Sequence, residues 1–337
     1  MNEFGQIDFV VAWVDGGDKA WQEKRAKFGG EMRGEGADEA RFRDWGIFKF
    51  WFRGIEKYAD FVHKIYFISD AQIPKWLNTE HEKLQIVDHT DFIPQKYLPT
   101  FSANPIELNL HRIKGLSEYF VFFNDDTFVV NPMSARDFFI DGKPVDCGIL
   151  NVHCVKKSRF IHQISLNDAA IINEHFEMRR VIAQNPRLWQ NPKYGARFNL
   201  QNLILRKCPR FPGFKQFHLP AAMLKSVYER VWEREFDELD ETCQHKFRSK
   251  FDVNQWLMRE WNLCENNFAP CDPRGRGDLI DFEKPDLEGE FARLEAALRR
   301  KKMVCINDGD GIDFEPIKSR VLRLLEEKFQ DKSKFEK

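Results

Sequence analysis

A chain of 337 residues with 52 basic and 53 acidic side chains carries a formal charge of −1, which provides no global field for nucleic acid or an anionic membrane. Hydrophobic content is ordinary at 42%, but 32 Phe and 9 Trp call for a strongly aromatic core. Seven Cys with no CxxC pair, and no apolar run near the ~18 residues of a membrane span, argue against a disulfide scaffold and a spanning helix. The opening MNEFGQ lacks a signal-peptide pattern, so a cytoplasmic protein is expected, with peripheral attachment at the inner face of a membrane left open.

In chain order, Ile7–Val14 reads as a buried strand. The turn Asp15-Gly16-Gly17-Asp18 follows at its carboxyl end, where many α/β folds begin a nucleotide pocket, although Asp-Gly is also simply a turn signal. A helix over 18–28 and a glycine-rich loop over 29–37 come next. Arg41-Phe42-Arg43-Asp44 then leads into a helix over 45–58, for which Asp44 can serve as N-cap. Strands are expected over 63–69 and 84–88, around a turn at 73–77. Up to residue 130 strands alternate with helices, the pattern of a doubly wound α/β layer.

The most informative stretch is Phe101–Val130. Asn104 is placed to cap a helix, Pro105 suits its first position, and Glu107 stands where a capping-box partner belongs. Ile106, Leu110 and Ile113 recur at i, i+4 and i+7 as a buried stripe, with Glu107, His111 and Lys114 on the neighbouring face. Tyr119–Phe123 is apolar on both faces, as inside a parallel sheet, and ends in Asn124-Asp125-Asp126. Carboxylates at that end of such a strand sit where open α/β sheets bind ligands.

Residues 131–210 read as a mainly helical insertion and a candidate acceptor-binding region, between core segments 1–130 and 211–337. Helices are expected over 169–184, 221–235, 253–263, 288–300 and 314–329, with a last strand over 303–306 that ends in Asn307-Asp308. If both Asn-Asp pairs lay in one sheet, their side chains would converge on one cation, and hard oxygen ligands favour Mg²⁺ or Mn²⁺ over Zn²⁺. The basic cluster Arg206, Lys207 and Arg210 and the segment Arg299–Lys302 are read as solvated charge, with contact to an anionic acceptor polymer as the alternative.

Four blocks of the chain together resemble the Stealth family of sugar-1-phosphate transferases. They are Ile7–Asp18, then Arg41–Asn78 with Phe101–Phe128, then Phe211–Met223 with His245–Trp256, and Val304–Gly311. The second is the long and specific one, because RxRD, QIPxWLN, IExxxHRIxGL and FNDD stand at the family's separations. Asp15 departs from the pattern where Asn is common, and Ala103-Asn104-Pro105 differs slightly from the usual small residues.

The resemblance implies a GT-A-like (Rossmann-type) nucleotide-sugar-binding α/β core. It implies transfer of a hexose 1-phosphate from a UDP-sugar, such as UDP-N-acetylglucosamine, to a hydroxyl of an oligosaccharide or polysaccharide. A phosphodiester forms and UMP leaves, in capsule or cell-surface polysaccharide synthesis, in peripheral association with membrane-bound glycan assembly machinery. On the matching positions, His218, Arg248, Asp126 and Glu107 are the candidate catalytic residues. Trp13, Asp15, Arg41, Arg43, Asp44, His111 and Asn124 stand on the donor side. Asp125, Asp126, Asn307 and Asp308 would hold Mg²⁺ or Mn²⁺. Plain readings compete at each: a turn after a strand for the acids, surface charge for Arg248, a structural imidazole for His218 and His111, a cap for Glu107, core packing for Trp13. The rival functions are a metal-dependent glycosyltransferase releasing UDP and a nucleotide-sugar or glycan-binding protein without turnover.

Overall fold

Mainly apolar runs build a parallel layer whose central strands are covered on both faces, while the edge strand Leu84–Asp88 is partly exposed. In the computed structural model, which describes residues 5–29, 42–157, 159–307, 309 and 312–337, these runs are β1 (Ile7–Ala12), β2 (Ile65–Ser69), β3 (Leu84–Asp88) and β4 (Tyr119–Phe123). They pair in parallel in the order β3-β2-β1-β4. Phe9, Phe67, Phe120 and Phe123 are wholly buried. Phe9 lies 4.8 Å from Phe123, and Trp51 meets the same ring edge-on at 5.3 Å, so the aromatic composition is spent in the core.

A short strand β5 (Thr127–Val129) follows a tight turn in which Thr127 donates twice to the Asn124 carbonyl, at 3.1 and 2.7 Å. The hairpin β6 (Phe139–Ile140) and β7 (Lys143–Asp146) comes next. Strand β8 (Ala221–Leu224) replaces the first turn of the helix expected over 221–235 and extends β4 antiparallel, so the helix starts at Lys225. An open sheet edge beside a short apolar run outweighs local helix propensity here. β9 (Ala269–Pro270) pairs with β7, and β10 (Gly277–Asp281) and β11 (Met303–Asn307) form a second sheet in the order β10-β11-β5.

The strand that leads into Asn124 and the strand that ends in Asn307 therefore lie in different sheets, not in one. They still meet, because the Ile306 N–H donates to the Asp126 carbonyl at 2.8 Å. Other boundaries also move. The helix expected from residue 45 begins at Lys49, and the Asp44 carboxylate instead accepts the Gly46 N–H at 2.8 Å across a left-handed glycine (φ 67°). The segment expected as one helix over 169–184 is split between Phe160–His175 and Met178–Gln184. Segment 131–210 holds these two helices, the helix Gly195–Leu205 and the β6–β7 hairpin, and its Phe138, Leu150 and Ile172 join the same core as β1 and β4.

Candidate active site

The carboxyl ends of β1 and β4 open into a cleft of about 540 Å³. Its floor is Asn124, Asp125 and Asp126. The Asp126 Oδ2 accepts from His218 Nε2 and from the Cys305 thiol, each at 3.3 Å, whereas its Oδ1 is buried and has no hydrogen-bond partner. Burial, reinforced by the neighbouring charge of Asp126, pushes the Asp125 carboxyl up to about 8.

One wall is the short helix Ala103–Leu108. Its cap is Ser102, whose side-chain oxygen accepts the Asn104 N–H, and not Asn104 itself. Asn104 points inward and donates to Asp252 at 2.8 Å. Glu107 forms no capping box; its side chain lines the cleft in a buried position. Burial lifts its carboxyl to about 7, against the opposing pull of Arg248, His218 and the Gln255 amide.

His111 is parted from Glu107 because the helix stops at Leu108, where the Asn109 side chain takes the Pro105 carbonyl at 2.8 Å. The i, i+4 spacing then no longer puts both on one face. The His111 ring packs against Tyr228 and Trp232 at 5.8 and 6.0 Å, away from the cleft lining, and burial lowers its pKa to about 3. A core imidazole is what the structure shows there.

The opposite wall carries His218 and Arg248. His218 adopts a left-handed backbone (φ 47°), a costly conformation for a non-glycine residue. Burial alone would lower its pKa, but the charges of Asp126 and Glu107 outweigh this and the net direction is upward. Arg248 sits in a loop braced by Asp252, a wholly buried residue. The Asp252 carboxylate accepts from His245 Nδ1 at 2.7 Å, from Asn104 Nδ2 at 2.8 Å and from the Ser249 N–H at 2.9 Å. That brace ties the Arg248 loop to the Glu107 helix, and no local pattern in the sequence announces it.

The third side is Trp13 with Phe42, Arg43 and Asp44. Trp13 stacks on Phe48 at 6.0 Å, and Arg43 lies over the Phe314 ring at 4.4 Å. Gly16 makes this side possible: its N–H donates to the Phe42 carbonyl at 2.9 Å, and a Cβ at residue 16 would stand 2.2 Å from that oxygen. Asp15 does not line the cleft. Its carboxylate accepts the Gly17 N–H at 2.8 Å, and Gln72 clasps its backbone with two bonds of 3.0 Å. Asn307 does reach the cleft and donates to Asp281 at 3.1 Å. Arg41 and Asp308 lie outside the described residues. The sequence reading missed Asn254, Gln255 and Trp256, and it missed Arg159 and Glu283, which pair through contacts of 2.8 Å at the cleft.

The oxygens of this corner suit a divalent cation: Asp126 Oδ1, buried beside Asp125, has no hydrogen-bond partner among the described residues. His218 Nε2 and the Cys305 sulfur lie within 4.8 Å of the Asp126 carboxylate, but both donate to its Oδ2. Burial and the Asp126 charge hold the Cys305 thiol well above its ordinary pKa, so it remains a donor to Asp126 and not a thiolate ligand. The oxygens are what a cation would use, and hard oxygens suit a hard ion.

An α/β layer that delivers two carboxylates, a glutamic acid, a histidine and an arginine to one cleft is the architecture of a group-transfer enzyme. Residues 5–33 match conserved region 1 of Stealth proteins, and residues 41–146 match conserved region 2. The chain is 39% identical to the capsular polysaccharide phosphotransferase WcwK of Streptococcus pneumoniae, over all of both chains. It is 40% identical to the receptor polysaccharide phosphotransferase WefC of Streptococcus gordonii, covering 98% of this chain and 99% of that one. To the exopolysaccharide phosphotransferase cps2G of Lactiplantibacillus plantarum it is 37% identical, over 98% and 96%. The chain belongs to the Stealth family and is a phosphotransferase. Among solved structures, the bifunctional glycosyltransferase WbbM aligns over 96% of this chain and 50% of its own, at a TM-score of 0.38 and 11% identity. Mouse xyloside xylosyltransferase 1 aligns over 91% and 100%, at 0.37 and 11%. Scores of that size carry no argument about this cleft.

Proposed function

We propose that the cleft transfers a hexose 1-phosphate from a UDP-sugar, such as UDP-N-acetylglucosamine, to a hydroxyl of an oligosaccharide or polysaccharide. The product is a phosphodiester, UMP is released, and the setting is capsule or cell-surface polysaccharide synthesis. The reading takes the parallel layer as a GT-A-like nucleotide-sugar-binding core. One observation carries it: Glu107, Asp126, His218 and Arg248 come from separate segments and line one cleft. The polysaccharide phosphotransferases at 37–40% identity support it.

In this reading the acceptor oxygen attacks the sugar-bearing phosphorus, and the bond from that phosphorus to the UMP oxygen breaks. The acceptor's proton passes to Glu107, whose carboxyl, lifted to about 7, is a stronger base than an ordinary carboxylate and still ionises near neutrality. His218 keeps its own proton through Asp126 and donates to a phosphate oxygen. Arg248 is suited to bidentate contact with the same phosphate. Mg²⁺ or Mn²⁺, held by Asp125, Asp126 and Asn307 with Asp308 as a further candidate, would neutralise the diphosphate. Trp13, Arg43, Asp44, Asn124 and Arg159 all line the cleft; the reading assigns the first four to the donor side and takes Arg159, from segment 131–210, toward the acceptor. The reading puts the enzyme in the cytoplasm at the inner membrane face; no helix among the described residues is long and apolar enough to cross a membrane.

The test is nucleotide analysis after turnover of a UDP-sugar panel with Mg²⁺ and a soluble glycan acceptor. UMP is expected. UDP as product would replace this reading with a glycosyltransferase. Binding without EDTA-sensitive turnover, unchanged in Asp126→Ala, would leave only a binding protein.

A further inference from the structure

From Met178 to Lys215 the chain contains no Asp or Glu, although acids and bases balance in the protein as a whole. Cations are spread along this acid-free stretch, among them Arg187, Lys193, Arg197, Arg206, Lys207 and Arg210, all exposed and none in an ion pair among the described residues. In its middle lies the helix Gly195–Leu205. One face is anchored: Phe198 and Asn202 are buried, and the Asn202 amide donates to the Gly148 and Trp189 carbonyls and accepts from the Leu150 N–H.

The opposite face presents Arg197, Leu200 and Ile204 at i, i+3 and i+7, one stripe of a 3.6-residue helix, and Arg206 and Lys207 follow directly at its carboxyl end. Leu200 and Ile204 are each 57% exposed, and Leu203 beside them is 42% exposed. A solvent-facing cluster of three aliphatic side chains, in a stretch whose charged residues are all cations, is not what a solvated helix face looks like.

We propose that this face docks on an anionic bilayer, the aliphatic side chains entering the headgroup boundary while the flanking cations meet lipid phosphates. The inference rests on the reading above, in that the acceptor is a cell-surface glycan assembled at a membrane. Charge complementarity selects a negative surface, and the leucines select lipid over a soluble polysaccharide, since a hydrated glycan offers nothing to Leu200 or Ile204. The placement serves the cleft. The chain leaves this helix and runs through Phe211–Phe217 to His218, so a docked helix would hold one wall of the site close to the membrane plane.

The experiment is co-sedimentation of the full chain with vesicles of mixed phosphatidylglycerol and phosphatidylcholine, against pure phosphatidylcholine. Partition is expected only onto the mixed vesicles and should fall as salt rises. Each cation removed should weaken it about fivefold, so Arg206→Glu/Lys207→Glu should cost at least about 25-fold. Leu200→Ser/Ile204→Ser should cost about tenfold or more. UMP release with a soluble acceptor should be the same in all of these as in the wild type, because the four positions lie outside the cleft lining. Absence of binding to the mixed vesicles overturns the proposal. So does a leucine variant that binds as the wild type does, or a dimer that dissociates in it, or capture by a soluble anionic polysaccharide that tolerates it. Failure of UMP release by the wild-type chain would sink the catalytic reading instead, and vesicle partition is measured independently of it.

Discussion

Replacing Asp252 with alanine should unseat Arg248 without removing any group that touches substrate. The carboxylate accepts three hydrogen bonds, at 2.7, 2.8 and 2.9 Å. After truncation, the Asn104 amide and the Ser249 N–H lose their partner inside the protein, at about 1–3 kcal/mol each. His245 is a third exposed and rehydrates, adding less than about 1 kcal/mol. The total is about 4 kcal/mol. With an unfolding entropy near 2.1 cal/mol/K per residue, that lowers Tm by about 6 °C. A loop released by even 1 Å should cut kcat by about 10²-fold. The hydrogen bond that His245 donates to Asp252 raises the His245 pKa, so this pair stabilises the fold most fully below the ordinary value of 6.5 and loses its contribution as pH rises through the raised value. The variant should lose that slope. Thermal melting, a pH series of denaturant unfolding and UMP-release kinetics check this. A variant within about 0.5 kcal/mol of wild type with kcat intact would refute the brace, and one equally stable but inactive would mean that Asp252 meets the substrate itself.

Four further outcomes follow from the site. Turnover should climb about tenfold per pH unit up to about 7 and fall again where His218 loses its proton, at a pH above its ordinary value, and Glu107→Gln should abolish the ascending limb along with most activity. Folded Glu107 binds its proton more tightly than the unfolded chain does, so stability should fall by about 3 kcal/mol as pH rises from about 4.5 to about 7; a Glu107→Gln unfolding profile with the same slope would contradict this. Arg248→Ala should lower kcat by about 10²–10³-fold, whereas a change confined to KM would demote Arg248 to substrate binding. Gly16→Ala forces a methyl to 2.2 Å from the Phe42 carbonyl, and should destabilise by about 2–3 kcal/mol while raising KM for the UDP-sugar; a wild-type melting curve would count against it.

Much of the site was legible where a local pattern coincides with a tertiary need. The runs at Ile7–Ala12, apolar apart from the buried Asp8, and at Tyr119–Phe123 read as strands covered on both faces, and the acids at the end of the second emerge at the cleft. The blocks that resemble Stealth proteins placed His218, Arg248 and Glu107 in one company, and the cleft lining contains all three. Other features have no local signature. Ser102 and Asn104 are both good caps two residues apart, so the choice of Ser102 turns on Asp252, which claims the Asn104 side chain from 148 residues away.

The sequence by itself determined the α/β layer, the carboxylate pair at the end of β4 and the family, because these rest on periodicity and on contiguous motifs. Only the tertiary structure decided that Asn307 belongs to a second sheet joined through Asp126, that Ala221–Leu224 is a strand, and that His111 turns into the core. It also decided that Leu200 and Ile204 face outward, in a stretch whose exposed cations form no ion pair among the described residues. The physical reason is common to all of these. Strand pairing, hydrogen-bond partners and the exposed side of a helix are set by which distant segment arrives beside them, and no window of neighbouring residues contains that information.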